Sequence, residues 1–207
     1  MIDNDDDSFS IFHTHLISLS KNFENLQSSI LDELGFNFNI IGITITKIND
    51  SNSESDEFSL HGYEFEFVPT PLAFGGVGMF IDETLHYTIL EKTSNKPFQA
   101  LWIELSFASK KNIICGNIYR LHNSPERFLE YFEQTVEKFI STRKNVFVMG
   151  DFNLCLLKSE VSKFSHNFLL CLQNCYVIPT TDNGNSASLI DNMFVNNPDC
   201  VSLSGNI

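Results

Sequence analysis

From Phe38 to Thr46 the chain carries isoleucine at positions 40, 41, 43 and 45. A strand this continuously apolar is buried on both faces and needs a covering layer on each side. Val146-Phe147-Val148-Met149 is a second short run of the same kind, with β-branched and aromatic side chains. At 207 residues the chain fits one large domain with a substantial core.

The segments around these two runs set the fold class. Phe9 to Leu16 reads as a first strand, and Ser20 as the cap of a helix whose apolar positions Phe23, Leu26, Ile30, Leu31 and Leu34 keep the 3.6-residue period up to Gly35. The polar, acidic stretch Asn49 to Glu57 reads as a loop. Strands are expected at 62–68, 79–81, 86–90, 100–107 and 113–119, with turns at Ser94-Asn95-Lys96-Pro97 and Ser109-Lys110-Lys111-Asn112. Ser124-Pro125 opens a long helix with an apolar stripe of Phe128, Phe132, Phe139 and Ile140. A further helix is expected over Ser162–Cys175, and a last strand from Leu189 to Val195. Consecutive hairpins in the first half, with helices alternating around them, predict two packed sheets with helices outside, an α/β (α+β) layered domain.

Composition narrows the partners. A hydrophobic content of 43% and twenty phenylalanines argue for a packed body, while 26 acidic against 13 basic residues give a formal charge of -13. That charge works against unaided attraction to nucleic-acid phosphates. The basic groups Arg143-Lys144 and Lys110-Lys111 read as solvated helix-end and turn charges. Five cysteines without a CxxC pair, behind an acidic start at Asp5-Asp6-Asp7, read as reduced thiols in an intracellular protein. Cys171 and Cys175 read as buried small hydrophobes. No run of 18 or more apolar residues occurs, so no membrane span is expected.

Candidate chemistry gathers at Gly150-Asp151-Phe152-Asn153. If the backbone stays extended, Asp151 and Asn153 point to the same side and offer a base or metal ligand beside a carboxamide. The same residues also make an ordinary capped turn, and both readings stand. His13 and His15 share one face of the first strand, either as a ligand pair or as hydrogen-bonded side chains. Gly75-Gly76-Val77-Gly78 leads into a strand and not a helix, so it reads as a tight turn or close backbone crossing and not as a phosphate cradle.

These segments together resemble the endonuclease/exonuclease/phosphatase superfamily, most nearly the endonuclease domain of jockey-like non-LTR retrotransposons. The residues that carry the resemblance are Leu19-Ser20-Lys21-Asn22, Gly75 to Met79, Ile118-Tyr119-Arg120, Gly150 to Asn153, and Ser188-Leu189-Ile190-Asp191-Asn192, in the family's order. The resemblance spans about Ser8 to Ile207. It implies a four-layer sandwich of two mixed β-sheets flanked by helices, behind a flexible acidic tail over residues 1–7. It also implies Mg²⁺-dependent hydrolysis of DNA phosphodiester bonds. On it, Tyr119 touches the scissile phosphate, with a core tyrosine as the other reading. Asp151 orients the attacking water and is a metal ligand, Asn153 holds a phosphate oxygen, and Asp191 orients a histidine. Arg120 is either a backbone contact to the nucleic acid or a surface salt bridge.

The chain departs from that pattern at three places. His15 stands at the family's asparagine position, Ile17 follows where an arginine is usual, and Ile45 occupies the position of the glutamate that is the principal Mg²⁺ ligand. A hydrocarbon cannot coordinate a hard cation. The sequence ends at Gly205-Asn206-Ile207, short of the family's Ser-Asp-His segment. The expectation is therefore a domain over residues 8–207 lacking its last strand, with impaired activity and an exposed sheet edge that favours self-association. The alternative is a non-catalytic interaction module or an unselected mobile-element fragment.

Overall fold

The isoleucine run forms the inner part of a sheet in the computed structural model, which describes residues 9–28, 35–49, 58–122, 126–154, 162–173, 175–178 and 191–202. Strand β2 (Ile40–Thr44) lies between β1 (Ile11–His15), which it meets in parallel, and β4 (Val77–Asp82), which it meets antiparallel. Strand β3 (Tyr63–Val68) pairs with β4 at the other edge. All five residues of β2 are buried, as a run without polar alternation demands. Ile40 faces one core with Val77, Met79 and Ile81, while Ile41 and Ile43 face another with Leu19, Leu26 and Phe80.

The second sheet holds β5 (His86–Asn95), β6 (Phe98–Ser106), β7 (Ile113–Arg120), β8 (Asn145–Asp151), β9 (Tyr176–Ile178) and β10 (Asp191–Val195), in the order β5-β6-β7-β8-β10-β9. Three α-helices and a short 3-10 helix (Pro198–Cys200) complete the described architecture: α1 (Leu19–Leu26), α2 (Glu126–Ile140) and α3 (Lys163–Cys171). Helix α1 connects the parallel strands β1 and β2, and α2 connects the parallel strands β7 and β8. Both are the long crossovers that parallel neighbours require.

Three apolar clusters separate four layers. Leu19, Leu26 and Phe80 fill the space between α1 and the first sheet. Met79, Leu101, Ile103 and Met149 fill the space between the sheets. Phe128, Phe132, Phe152, Phe168 and Phe194 lie between the second sheet and α2 and α3. The expected four-layer α/β sandwich of two mixed sheets is what the chain forms. Cys171 and Cys175 pack against the third cluster, half-buried, in keeping with their reading as small hydrophobes. Among the described residues no helix is long and apolar enough to cross a membrane.

Several boundaries differ from the sequence reading. Ser18, not Ser20, caps α1: its backbone is extended (φ -172°, ψ 125°) and its carbonyl accepts the Asn22 N–H. Helix α3 ends at Cys171 because Leu172 leaves the helical region (φ -97°, ψ 10°). Strand β9 is unforeseen, since three residues are too short to show a period of two. The acidic residues 1–7, the end of the first predicted helix (Ile30, Leu31, Leu34), most of the loop to Glu57, Ser124-Pro125, Ser188 to Ile190 and Gly205 to Ile207 lie outside the described residues.

Phe168 is fully buried, and its ring lies 4.9 Å from Phe132, 5.2 Å from Phe152 and 5.9 Å from Phe194. Replacing it with alanine leaves a cavity where α3 meets the second sheet. We expect Phe168→Ala to cost about 3–5 kcal/mol in urea unfolding. A loss below about 1 kcal/mol would show that α3 is not part of the cooperative core.

Candidate active site

Strand β8 closes on a residue that only glycine can supply. Gly150 has φ +145°, and a Cβ there would lie 1.9 Å from the Ile118 carbonyl oxygen of β7. Alternation from Met149, in the core between the sheets, turns Asp151 toward the same interface, where it is 2% exposed. The backbone then leaves the extended region: Asn153 has φ +49°, a conformation asparagine tolerates. Its amide donates to Asp151 Oδ1 at 2.9 Å, and its Nδ2 donates to the Arg120 carbonyl at 2.8 Å and Asp151 Oδ2 at 3.2 Å. The expected extended pairing of Asp151 and Asn153 is thus replaced by a turn in which Asn153 holds the carboxylate. The capped turn and the candidate site are the same residues.

Arg120 at the end of β7 faces away from the sheet interface. It is 3% exposed, and its Nε and one terminal nitrogen donate to the carbonyls of Phe152 (2.5 Å) and Asn153 (2.9 Å). Its guanidinium carbon lies 4.9 Å from the Phe164 ring and 5.9 Å from the Phe128 ring. Burial pushes its pKa down to about 10, against the pull of Asp151, so it stays charged at neutral pH. Of the two readings of Arg120, a backbone contact to the nucleic acid or a surface salt bridge, the second is corrected: Arg120 is a buried clamp on the Asp151 turn. Dipeptide sequence cannot reveal this, because the three groups meet only through the β7–β8 pairing.

Tyr119 pairs in register with Asp151, and its ring packs in the core between the sheets. Burial, then the charge of Asp151, raises its pKa, so the phenol stays protonated. Asp191 of β10 is the register partner of Asp151 on the other side; its side chain lies outside the described atoms.

The first sheet brings two histidines to this carboxylate. Phe9 and Ile11 pack into the core between the sheets, so His13 and His15, two and four residues beyond Ile11, share that face. His15 Nδ1 lies 3.3 Å from Asp151 Oδ2, with the His15 side chain one-third exposed. His13 sits deeper. Its Nε2 is enclosed and has no hydrogen-bond partner among the described residues, and burial lowers its pKa to about 4 despite the opposing charge of Asp151. The shared face was legible in the spacing; the partner was not.

Ile45 follows β2 with φ +57°, a left-handed conformation that a β-branched residue rarely adopts. Its N–H and that of Thr46 donate to the Gly76 carbonyl, and that of Lys47 to the Gly75 carbonyl. A Cβ at Gly76 would lie 2.4 Å from Thr46 Oγ1. The glycine run is therefore a close backbone crossing, as its lead into a strand implied. The Ile45 side chain is half-buried against the core between the sheets. Sequence reasoning missed Asn117, whose Nδ2 donates to the carbonyls of Ile43 and Gly78 at 2.9 Å each and ties the two sheets together. A lone asparagine within the apolar run Ile113–Tyr119 was the available signal.

The described residues do not fit a hard cation. Among them no three His, Cys, Asp or Glu side chains are grouped to hold an ion. Ile45 offers only hydrocarbon, and the two histidines beside Asp151 are nitrogen ligands.

A sequence profile described as the Endonuclease/Exonuclease/phosphatase family matches residues 22–205. The chain belongs to the endonuclease/exonuclease/phosphatase family. Solved structures share its fold. The AP endonuclease LMAP from Leishmania major superposes with a TM-score of 0.68 at 13% identity, over 90% of this chain and 78% of that one. An AP endonuclease from Archaeoglobus fulgidus gives 0.64 at 14% identity, over 93% and 88%. The endonuclease domain of TRAS1, a telomere-specific non-LTR retrotransposon, gives 0.62 at 12% identity, over 90% and 84%. No curated protein matches the chain in sequence.

Two outcomes follow from the geometry. His13 has a folded pKa of about 4 against an unfolded value of 6.5. Between those values the unfolded chain binds the extra proton, so stability falls as pH drops from about 6.5 to about 4 and then levels. Over that window the parent should lose about 3 kcal/mol more than His13→Leu in urea unfolding; identical pH profiles would refute the assignment. Arg120→Leu strips two buried carbonyls of charged donors and should cost about 3 kcal/mol or more. A neutral effect would mean that the turn holds itself.

Proposed function

We propose that this chain is a retrotransposon-type endonuclease domain whose family activity, Mg²⁺-dependent hydrolysis of DNA phosphodiester bonds, is impaired. The observation that carries this reading is Ile45. At the strand end nearest the Asp151 turn, where the family resemblance calls for a glutamate, the chain presents a half-buried hydrocarbon on a left-handed backbone. The order of the motifs and the likeness of fold to the TRAS1 domain support the retrotransposon origin.

The chain's own residues keep part of the expected arrangement. Asp151, held by Asn153 with His15 Nδ1 3.3 Å from its Oδ2, is the base that would orient a water. Tyr119 stands beside it as a protonated hydroxyl for a phosphate oxygen. Asn153 has both amide hydrogens engaged in the turn, so its first task is to position Asp151. Asp191 lies in register with Asp151. Mg²⁺, when bound in such a site, neutralises phosphate charge, and that stabilisation is worth several kcal/mol. At about 1.4 kcal/mol per tenfold in rate, its loss removes roughly three orders of magnitude. The net charge of -13 weakens DNA attraction further.

The test is nicking of supercoiled plasmid with Mg²⁺ at low salt. We expect turnover about a thousandfold or more below that of an intact family member. Turnover comparable to that relative, abolished by Asp151→Ala, would overturn the reading.

A further inference from the structure

A strand at the side of a sheet presents backbone donors and acceptors that another chain can take up. Among the described residues four strands are so placed: β1 and β3 in the first sheet, β5 and β9 in the second. Three of them are guarded. Strand β3 carries Glu64 and Glu66, which bond to Tyr87 and Lys92 of β5, so these two edges meet through charged groups. Strand β5 is also broken in register between Ile89 and Glu91, and β9 is only three residues long. Charge, a bulge and shortness are the devices that keep edges from pairing. Strand β1 has none of them. Its five residues, Ile-Phe-His-Thr-His, include no acid, lysine, arginine or proline, and their register with β2 runs without a break. We propose that the β1 edge is the contact surface for a second copy of this chain. The two strands lie antiparallel across a two-fold axis at Phe12, so that two four-stranded sheets become one.

The ladder decides which groups are on offer. The Ser10 carbonyl accepts the Ile40 N–H, and the Leu16 N–H donates to the Thr44 carbonyl. Bonding residues alternate in a parallel ladder, so Ser10, Phe12, Thr14 and Leu16 bond to β2. Ile11 and His13 therefore turn their backbone N–H and C=O groups away from it, and no described residue pairs with those groups. Residues 11–14 are half-buried, whereas the adjoining β2 is buried throughout. With Ile11 of one copy opposite His13 of the other, the two residues exchange both backbone bonds, and the two-fold axis repeats the exchange. Phe12 then meets Phe12 of the second copy at a closely spaced pair, on the face where it already stacks on Phe38 at 5.2 Å. Charge selects the partner. The chain holds 26 acidic residues, yet none lies between Asp7 and Glu24, a stretch that contains all of β1. A second copy with the same charge of -13 meets Glu64 and Glu66 at β3 and Glu91 at β5. Along β1 it meets no carboxylate, and charges farther off are screened within about 10 Å at ordinary salt.

Sedimentation velocity on the full chain over a range of concentrations is the test, and we expect a monomer–dimer equilibrium. Ile11→Pro removes an N–H that points away from β2, a position where an edge strand tolerates proline. The two-fold axis doubles that loss, so the dimer should weaken at least about tenfold. Phe12→Cys should form an interchain disulfide on mild oxidation, beyond any level shown by the parent. A closely spaced antiparallel pair brings its Cα atoms within disulfide reach. Thr14→Cys should not, since Thr14 stands opposite Ser10 of the second copy. In hydrogen exchange the Ile11 and His13 amides should be protected only at concentrations where the dimer forms. A parent that stays monomeric at every concentration overturns the proposal. So does a dimer that Ile11→Pro leaves intact, or one in which Thr14→Cys links as readily as Phe12→Cys. Protection of both amides in the dilute monomer means that the edge is covered within one chain, and it also overturns the proposal. Should Ile11→Pro not fold, Thr14→Lys supplies the edge charge that β1 lacks and is judged by the same loss of dimer.

Discussion

The turn after β8 is held by two residues that bond to each other. Arg120 donates to the carbonyls of Phe152 and Asn153, and Asn153 returns a hydrogen bond to the Arg120 carbonyl. A guanidinium that is 3% exposed is costly to desolvate. The cost is offset because it satisfies carbonyls that a left-handed turn leaves unpaired and because aromatic rings from α2 and α3 face it. The position of Asp151 is thereby tied to the helical layer, and not only to its own strand. On the other side of the sheet the same carboxylate meets β1. The turn from Asp151 to Asn153 thus links the second sheet, its outer helices and the first sheet.

The backbone near Ile45 shows how fold and chemistry separate. Its left-handed conformation is set by the crossing of two chain segments, with the carbonyls of Gly75 and Gly76 accepting from residues 45 to 47. Isoleucine takes up that backbone although its β-branch disfavours it. Its side chain offers no oxygen to a cation. Likeness of fold to known nucleases therefore does not by itself assign activity.

The surplus of acid is handled locally. Glu66 on β3 accepts from Tyr87 and Lys92 of β5, so the edges of the two sheets are joined by a hydrogen-bonded acidic group. At the far end of the second sheet, Lys144 and Asn112 both donate to Glu104, and these donors hold its carboxyl below the usual range. Such exposed pairs contribute little to stability.

The layered architecture was legible in the sequence because burial on two faces leaves a local mark: four isoleucines in close succession, an apolar run before Gly150, and phenylalanines at helical spacing. Strand alternation likewise put His13 and His15 on one face, and the chemistry of Ile45 was plain from its side chain alone. Three things were decided only by tertiary structure. The partner of the histidines lies on another sheet, the clamp on the Asp151 turn comes from a neighbouring strand, and Asn117 bonds carbonyls of two strands opposite. Periodicity records which face of an element is apolar, and local sequence carries that. It is silent on which polar groups from distant segments will meet, because that depends on how whole sheets stack.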